Sequence, residues 1–378
     1  MQHVDAIVVG VGAVGSAALW HLARRGLRVV GVDRFTPGHD RGSSHGQTRM
    51  IRQAYFEHPD YVPLVLAAYR QWHELEQLAG RSLYVETGLL EIGPPDGEVV
   101  PGVLASAREH GLDVESLAVA EIEQRFPAFR VPHGMAGVFE RHAGFLRVEE
   151  CIVAMTQQAI LSGAQVRCGE SVVSWAVEGR SLVVRTDHDT YHAGHAIVTA
   201  GAWAGQVLHD LGLPLVVLRK PQYWYAGTDD HIRLERGCPS WLYEIGEHIF
   251  YGFPQIDHRG MKLAEHSGGA VVADPLKVDR SFDLDDQRQV EQFQQSHLRG
   301  LSTLCTHQAV CMYTVSPDRN FIIDRHPEFA HLSFAAGLSG HGFKFAPVLG
   351  QSLVELALDG KTTLPVEFLK RDRPTNVV

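Results

Sequence analysis

Apolar positions change their period several times along the chain, and each change marks an element. Residues 6–9 (Ala-Ile-Val-Val) are continuously apolar, as a strand buried on both faces reads. Helical spacing takes over at 16–25, and a second strand-like run at 27–32 ends on Asp33. Over 58–78 the apolar residues Val62, Leu66, Tyr69, Trp72, Leu75 and Leu78 recur at helical spacing, with Pro59, Asp60 and Pro63 suited to the first turn. The pattern then predicts a strand over 83–92, a turn at 93–97, helices over 98–109 and 118–126, a strand at 137–139 and a helix over 148–162. Strands follow at 164–173, 181–185 and 190–198. Residues 216–310 change character: they are aromatic, alternating and rich in turns, as an antiparallel sheet with one apolar face reads. Strands at 321–324 and 332–336 and a helix running to 357 return the chain to α/β patterning. No internal repeat or low-complexity tract interrupts this order.

The strand–helix–strand at the start carries chemistry. Between its first strand and its helix stands Gly10-Val11-Gly12-Ala13-Val14-Gly15, the dinucleotide fingerprint in its required context. Gly10 serves the tight turn, Gly12 lets backbone approach a pyrophosphate, and Gly15 lets the helix pack close to the strand. Free N–H groups at the helix start then face the phosphates. Asp33, closing the second strand, is placed to accept hydrogen bonds from an adenosine ribose. These residues predict a dinucleotide without choosing between NAD and FAD. Next comes Arg41-Gly42-Ser43-Ser44-His45-Gly46-Gln47-Thr48-Arg49-Met50-Ile51-Arg52, a polar cationic loop where the distal half of a long cofactor would run. A second glycine-rich strand-to-helix turn, Gly337-Leu338-Ser339-Gly340-His341-Gly342-Phe343-Lys344-Phe345, would cap the cofactor's far end. Thr199-Ala200-Gly201-Ala202, at the end of another strand, is a third and weaker signal of the same kind.

Composition narrows the picture by exclusion. With 378 residues, 45% hydrophobic and 21% charged, the chain has the balance of a globular protein of two lobes or domains. Its formal charge of -10 argues against a general binder of nucleic acid or of anionic membranes. The 22 histidines show no compact metal-ligand spacing, so no metal is expected. Cys151, Cys168, Cys238, Cys305 and Cys311 form no CxxC pair, and an odd set of free thiols fits a reducing compartment, the cytoplasm. No apolar run reaches the ~20 residues of a membrane span. The first strand begins too early for a signal peptide, and residues 375–378 carry no peroxisomal signal.

The ordered motifs resemble those of the monomeric sarcosine oxidase family, which includes N-methyl-L-tryptophan oxidase. They are the first glycine-rich turn, the Gly42–Arg52 loop, Tyr251-Gly252-Phe253-Pro254, Cys311-Met312-Tyr313-Thr314 and Gly340-His341-Gly342-Phe343-Lys344-Phe345. The resemblance spans nearly the whole chain, although Gln53 stands where the family pattern has His. It implies an α/β fold: a Rossmann-type, glutathione-reductase-like FAD-binding domain from residues 1–82, 143–215 and 311–378. An α+β substrate lobe on an antiparallel sheet would come from residues 83–142 and 216–310. It also implies FAD joined to Cys311 through a thioether at the flavin 8α position.

The family's pattern assigns further roles. Arg52 and Lys344 match its carboxylate clamp, with Tyr313 and Tyr251 on the pocket wall. Lys262 matches a lysine that promotes reaction of the reduced flavin with oxygen, and His266 an active-site histidine. Strand spacing would set Lys262 and His266 on one face. Arg49 and His45 match residues lining the flavin, and Arg49 is also placed among the catalytic set. Gly10, Gly12, Gly15, Asp33, Ser43, Thr48, Gly340, Gly342 and Lys344 complete the cofactor contacts. The function implied is oxidation of a secondary, N-methylated amino acid by a monomer, with oxygen reduced to hydrogen peroxide. Oxidation of a cyclic imino acid such as pipecolate is the nearest alternative. A flavin dehydrogenase using another acceptor, a passive flavin subunit and an NAD-dependent dehydrogenase are the others.

Overall fold

A computed structural model describes residues 1–179 and 181–374; the tail read above for a targeting signal lies outside the described residues. Strand β1 (Gln2–Val9), helix α1 (Ala13–Arg24) and strand β2 (Val29–Asp33) form the opening unit. The helix starts three residues earlier than apolar spacing predicts. Ala13, Val14 and Gly15 are small enough to bury in its first turn, so the glycine motif belongs partly to the helix. Gly15 cannot be replaced without movement, since a Cβ there would lie 1.8 Å from the Gly10 carbonyl oxygen.

Around β1 runs a parallel core. It pairs with β2 on one side and with the strand Thr190–Val198 on the other, which in turn pairs with Leu332–Ala336. Beyond β2 lies Gln165–Cys168. Because these strands are parallel, β1, Thr190–Val198 and Leu332–Ala336 all end at the same edge of the sheet. Gly10, Thr199 and Gly337 therefore open three turns side by side, as ligand crevices of open α/β sheets require. α1 packs between the helices Val148–Leu161 and Ala346–Asp359, and its Ala17 and Trp20 join Trp72 and Leu349 in one core.

A second sheet stands on antiparallel pairing. Its long strands Val216–Gly227 and Leu301–Val315 pair along nearly their whole length, from Val216–Val315 to Gly227–Leu301. The expected domain boundary at residue 311 thus falls within one strand. The aromatic residues of this region serve packing: Tyr223, Tyr225, Trp241, Tyr243 and Phe250 are buried in one cluster with Phe293 of the helix Leu284–His297. The opposite face carries a smaller cluster containing Phe56, Val99, Val138 and Leu242.

Three local expectations differ from the structure. The segment at 83–92 is two strands, Tyr84–Glu86 and Leu89–Gly93, in different sheets. The break is at Gly88, whose φ of 69° suits glycine. The segment at 164–173 divides at Gly169, φ 73°, into Gln165–Cys168 and Val172–Glu178. Thr48–Ile51, expected as loop, is a strand paired with Gly144–Arg147. Its partner is distant in sequence, so no local pattern announces it. Among the described residues, no helix is long and apolar enough to cross a membrane.

The packing of α1 yields a test. A Cβ on Gly350 would meet the Ala17 Cβ and the Ala18 nitrogen at 2.6 Å. Gly350→Ala should lower stability by about 1–3 kcal/mol despite the better helix propensity of alanine. Urea denaturation measures this, and an unchanged midpoint would show that the two helices simply move apart.

Candidate active site

The three turns surround a cavity of about 430 Å³. Gly10 has φ 89°, and a Cβ on it would lie 2.6 Å from the Thr199 carbonyl oxygen; at Gly12 a Cβ would meet nothing within 4 Å. The backbone at Gly12 is therefore open to a close-lying group. The first turn of α1 has neither a side-chain cap nor an acidic residue, which leaves its N–H groups free for an anion. Asp33 stands at one end, its carboxylate accepting the N–H groups of Val11 (2.7 Å) and Phe35 (2.8 Å). Each oxygen keeps a lone pair for a further donor such as a ribose hydroxyl. Trp175 and Trp203 lie on the wall of this cavity, as do Ala200, Gly201 and Ala202 from the third signal. At Gly340 (φ 86°) a Cβ would enter the Tyr313 ring at 2.4 Å. Ser43, Gly340 and Gly342 line the cavity, while Gly15 acts from behind it through packing. An open glycine backbone, an uncapped helix start and a terminal carboxylate fit the pyrophosphate and ribose of FAD.

Arg49 joins this cavity to a smaller one. Its guanidinium donates to the Thr48 carbonyl (2.9 Å), to the Ser43 carbonyl (2.8 Å) and to Cys311 Sγ (3.0 Å). The Cys311 thiol itself donates to Ser43 O at 3.0 Å. Cys311 is buried just behind the wall, beside lining residues Met312 and Tyr313. His45 is also buried off the wall, and its Nε2 has no partner. Burial, then the charge of Arg49, takes its imidazole down to about 3.

The smaller cavity, about 50 Å³, shares Arg49, Tyr313, Gly340 and Phe343 with the larger. Arg52, Lys344, Tyr251 and His266 meet on it, although they come from four separate segments. Arg52 is buried against the rings of Tyr55 and Phe56, each 4.6 Å from its guanidinium carbon, and pairs directly with Glu57. Burial alone would raise the Glu57 carboxyl, but Arg52 outweighs it and holds the group at about 2. Lys344 donates to the His341 carbonyl (3.1 Å) and to the Tyr55 hydroxyl (3.3 Å). Burial and then Arg52 bring its ammonium down to about 7.

His266 lies one residue past the strand Met261–Glu265, with Nδ1 3.4 Å from the Tyr313 hydroxyl. Burial, then Lys220, takes it to about 3, so it is neutral at ordinary pH. Lys262 goes elsewhere: its ammonium reaches the carbonyls of Gly46 and Thr48 (3.0 Å for Thr48), and lies 5.3 Å from the Trp224 ring and 5.2 Å from that of Phe253. Gly46 (φ 90°) and Gln47 (φ 74°) are both left-handed, which turns the two carbonyls toward one point. Burial and Arg49 draw the Lys262 pKa well down. Neither Lys262 nor Thr48 reaches either cavity wall.

Two residues outside the motifs shape this site. Glu57 lines the smaller cavity five positions after Arg52. Lys220, buried on the strand Val216–Gly227, donates to the carbonyls of His266 (3.1 Å), Ser267 (2.7 Å) and Gly268 (3.2 Å) and so fixes the backbone carrying His266. Nothing local in the sequence marks Lys220. Glu57 had a signal: an acid close to a basic motif, at the start of an amphipathic helix.

Fold and site together define a dinucleotide-binding flavoprotein with a second, charged pocket against the cofactor cavity. The family model for FAD-dependent oxidoreductases matches residues 5–356, and the chain belongs to that family. It is 38% identical over 370 residues to monomeric sarcosine oxidase of Streptomyces avermitilis, covering 96% of this chain and 95% of that protein. It is 35% identical over 375 residues to monomeric sarcosine oxidase of Arthrobacter sp., covering 98% and 96%. With N-methyl-L-tryptophan oxidase of Salmonella enteritidis the identity is 35% over 362 residues, covering 95% of each. Among solved structures, the open form of NikD, an unusual amino acid oxidase, superposes with a TM-score of 0.86 at 24% identity over 98% of both chains, which shows the fold.

The Arg52–Glu57 pair sets a pH dependence. A folded-state pKa of about 2 against 4.5 means stability that is fully present above pH 4.5 and lost as pH falls toward 2. Glu57→Gln should remove one proton from that acid slope, about 1.4 kcal/mol per pH unit. Urea midpoints followed below pH 5 test this; an unchanged slope would mean that the pair adds nothing.

Proposed function

We propose that the protein is an FAD-dependent oxidase of a secondary, N-methylated amino acid. The observation that carries this reading is the buried Arg52–Lys344 pair, on a small cavity that shares Arg49, Tyr313, Gly340 and Phe343 with the larger one. Its relatives named sarcosine oxidase and N-methyl-L-tryptophan oxidase support the same substrate class. A cavity of about 50 Å³ favours a substrate with little side chain.

Arg52 offers a planar fork and Lys344 a point charge, so together they hold one carboxylate in a fixed direction. The substrate's nitrogen and methyl group then point to the shared wall of Arg49, Tyr313 and Gly340. Tyr313 and Tyr251 confine it, and neutral His266 supplies a ring nitrogen without adding charge. No side chain here is a strong base, which suits binding of the amine in its neutral form. Held by the turns at Gly10, Gly12 and Gly340 with Asp33 and Ser43, FAD would supply the two-electron oxidation of the N-methyl C–N bond to an imine, with oxygen as the final acceptor giving hydrogen peroxide; water would convert the imine to formaldehyde and the primary amine. Lys262, anchored by two carbonyls, is the residue to which we assign promotion of the oxygen step. Cys311, held between Ser43 and Arg49, is the assigned attachment point. The same reading takes the protein as a cytoplasmic monomer.

Oxygen-uptake assays with sarcosine, N-methyltryptophan and pipecolate test the substrate class. Formaldehyde and peroxide in equal amounts are expected with an N-methyl substrate; turnover of pipecolate alone would move the assignment to cyclic imino acids. Acid-precipitated protein should stay yellow, and Cys311→Ser should release its flavin to the supernatant. Release from the wild type would remove the covalent bond and leave the oxidase standing.

Lys262→Met should separate two measurements. Anaerobic bleaching by substrate should stay within about ten-fold of wild type, roughly 1.4 kcal/mol. Reoxidation by oxygen should slow far more, with an artificial acceptor restoring part of the turnover. Unchanged reoxidation would make Lys262 a structural lysine.

A further inference from the structure

The strand Leu89–Gly93 carries a carboxylate where its surroundings are apolar. Glu91 is wholly buried, and its cross-strand partners Val138 and Leu242 belong to the apolar cluster that also holds Ala54 and Phe56. Neither of its carboxylate oxygens has a hydrogen-bond partner. Its nearest cation is Arg52, whose Nε lies 3.6 Å from Oε1 and also lacks a partner. Leu242, beside it on the neighbouring strand, lines the smaller cavity, so Glu91 stands just behind the wall of the carboxylate pocket.

The groups facing Glu91 can be counted. Arg52 and Glu57 come from the segment after Thr48–Ile51, Glu140 from the adjoining strand and Lys344 from the last glycine-rich turn. Glu140 is served by the N–H groups of Gln53 (2.7 Å) and Ala54 (2.9 Å). Arg52 and Lys344 bring at most two positive charges, and Glu57 with an ionised Glu91 cancels both before Glu140 is counted. A ligand carboxylate would add a negative charge where water does not screen it. One proton relieves that excess. Glu57 is the wrong acceptor, because Arg52 bonds directly to its carboxylate. His266 and His341 are held down to about 3 and 4 by burial. Glu91, with no donor on either oxygen, loses least on becoming neutral. Burial, opposed by Arg52, already pushes its carboxyl up to about 8.

We propose that Glu91 is a proton-linked positioning residue of the carboxylate site: it shares Arg52 with the ligand and must be neutral when a carboxylate is bound. Binding then takes up one proton from solvent wherever Glu91 is ionised in the free protein. This deepens the carboxylate-clamp reading above and rests on it.

Acetate titrated into the purified flavoprotein, followed by flavin absorbance from pH 7 to 9.5, tests the proposal without turnover. Above pH 8 the wild-type Kd should rise roughly ten-fold per pH unit more steeply than that of Glu91→Gln. Lys344 weakens binding in the same direction as it loses its proton, but it does so in both proteins, so the ratio of the two Kd values isolates Glu91. Should the variant not fold, calorimetry of acetate binding to the wild type at pH 9 in two buffers counts the protons directly. Uptake above one per acetate is expected; one or fewer, which Lys344 alone supplies, would overturn the proposal. Identical pH profiles would overturn Glu91 and leave the clamp, whereas absence of any acetate-dependent change would overturn the clamp and Glu91 together.

Discussion

The architecture turns on a backbone approach at the first turn. Gly15 sits so close to Gly10 that no Cβ fits between them, and a Cβ on Gly10 would in turn lie within 2.6 Å of the Thr199 carbonyl oxygen. That approach pins the start of α1 against the carboxyl ends of β1 and the strand Thr190–Val198. The uncapped N–H groups are thereby held at the mouth of the larger cavity rather than turned to solvent. α1 in turn carries the helix Ala346–Asp359 on its far side, through Gly350 on Ala17 and Ala18. The last glycine-rich turn leads into that helix, so its position follows from the same contact.

A second constraint is charge without water. Arg52 and Lys344 are each 3% exposed, and such groups are expensive to ionise unless paired. The chain meets that cost with acids from three different segments: Glu57, Glu91 and Glu140. The result is a pocket whose electrostatics are nearly balanced before a ligand arrives. On the proposed reading, specificity for a carboxylate depends on how readily the internal acids give way, and not on the cations alone. The same economy shows at His266, which is kept neutral by burial while Lys220 fastens its carbonyl and those of the two residues after it.

The two large sheets meet where these constraints meet. Arg49 touches Cys311 of the antiparallel sheet and lines both cavities, while Tyr313, on the same strand as Cys311, forms part of their common wall. A strand that runs through the antiparallel sheet to the common wall of both cavities can fix both at once. Pairing of Leu301–Val315 with Val216–Gly227 along nearly its full length gives that strand its rigidity.

The sequence alone determined what short-range physics controls. Apolar period placed most helices and strands, and glycine spacing marked both cofactor turns, because a tight turn and a close backbone approach need glycine locally. The motif order was sufficient to indicate the family, with Arg52, Lys344, Tyr251, Tyr313 and His266 as candidates that the fold brings to one cavity. Tertiary structure alone decided the rest. The strand Thr48–Ile51 exists through a partner almost a hundred residues away. Lys262, matched in sequence to a lysine that promotes the oxygen reaction, is held by the carbonyls of Gly46 and Thr48, a placement that only the fold reveals. Glu91 was not singled out in the sequence, and its meaning depends on which cation stands beside it. Burial and long-range pairing set the charge of a buried group, and neither is a property of neighbouring letters in the chain.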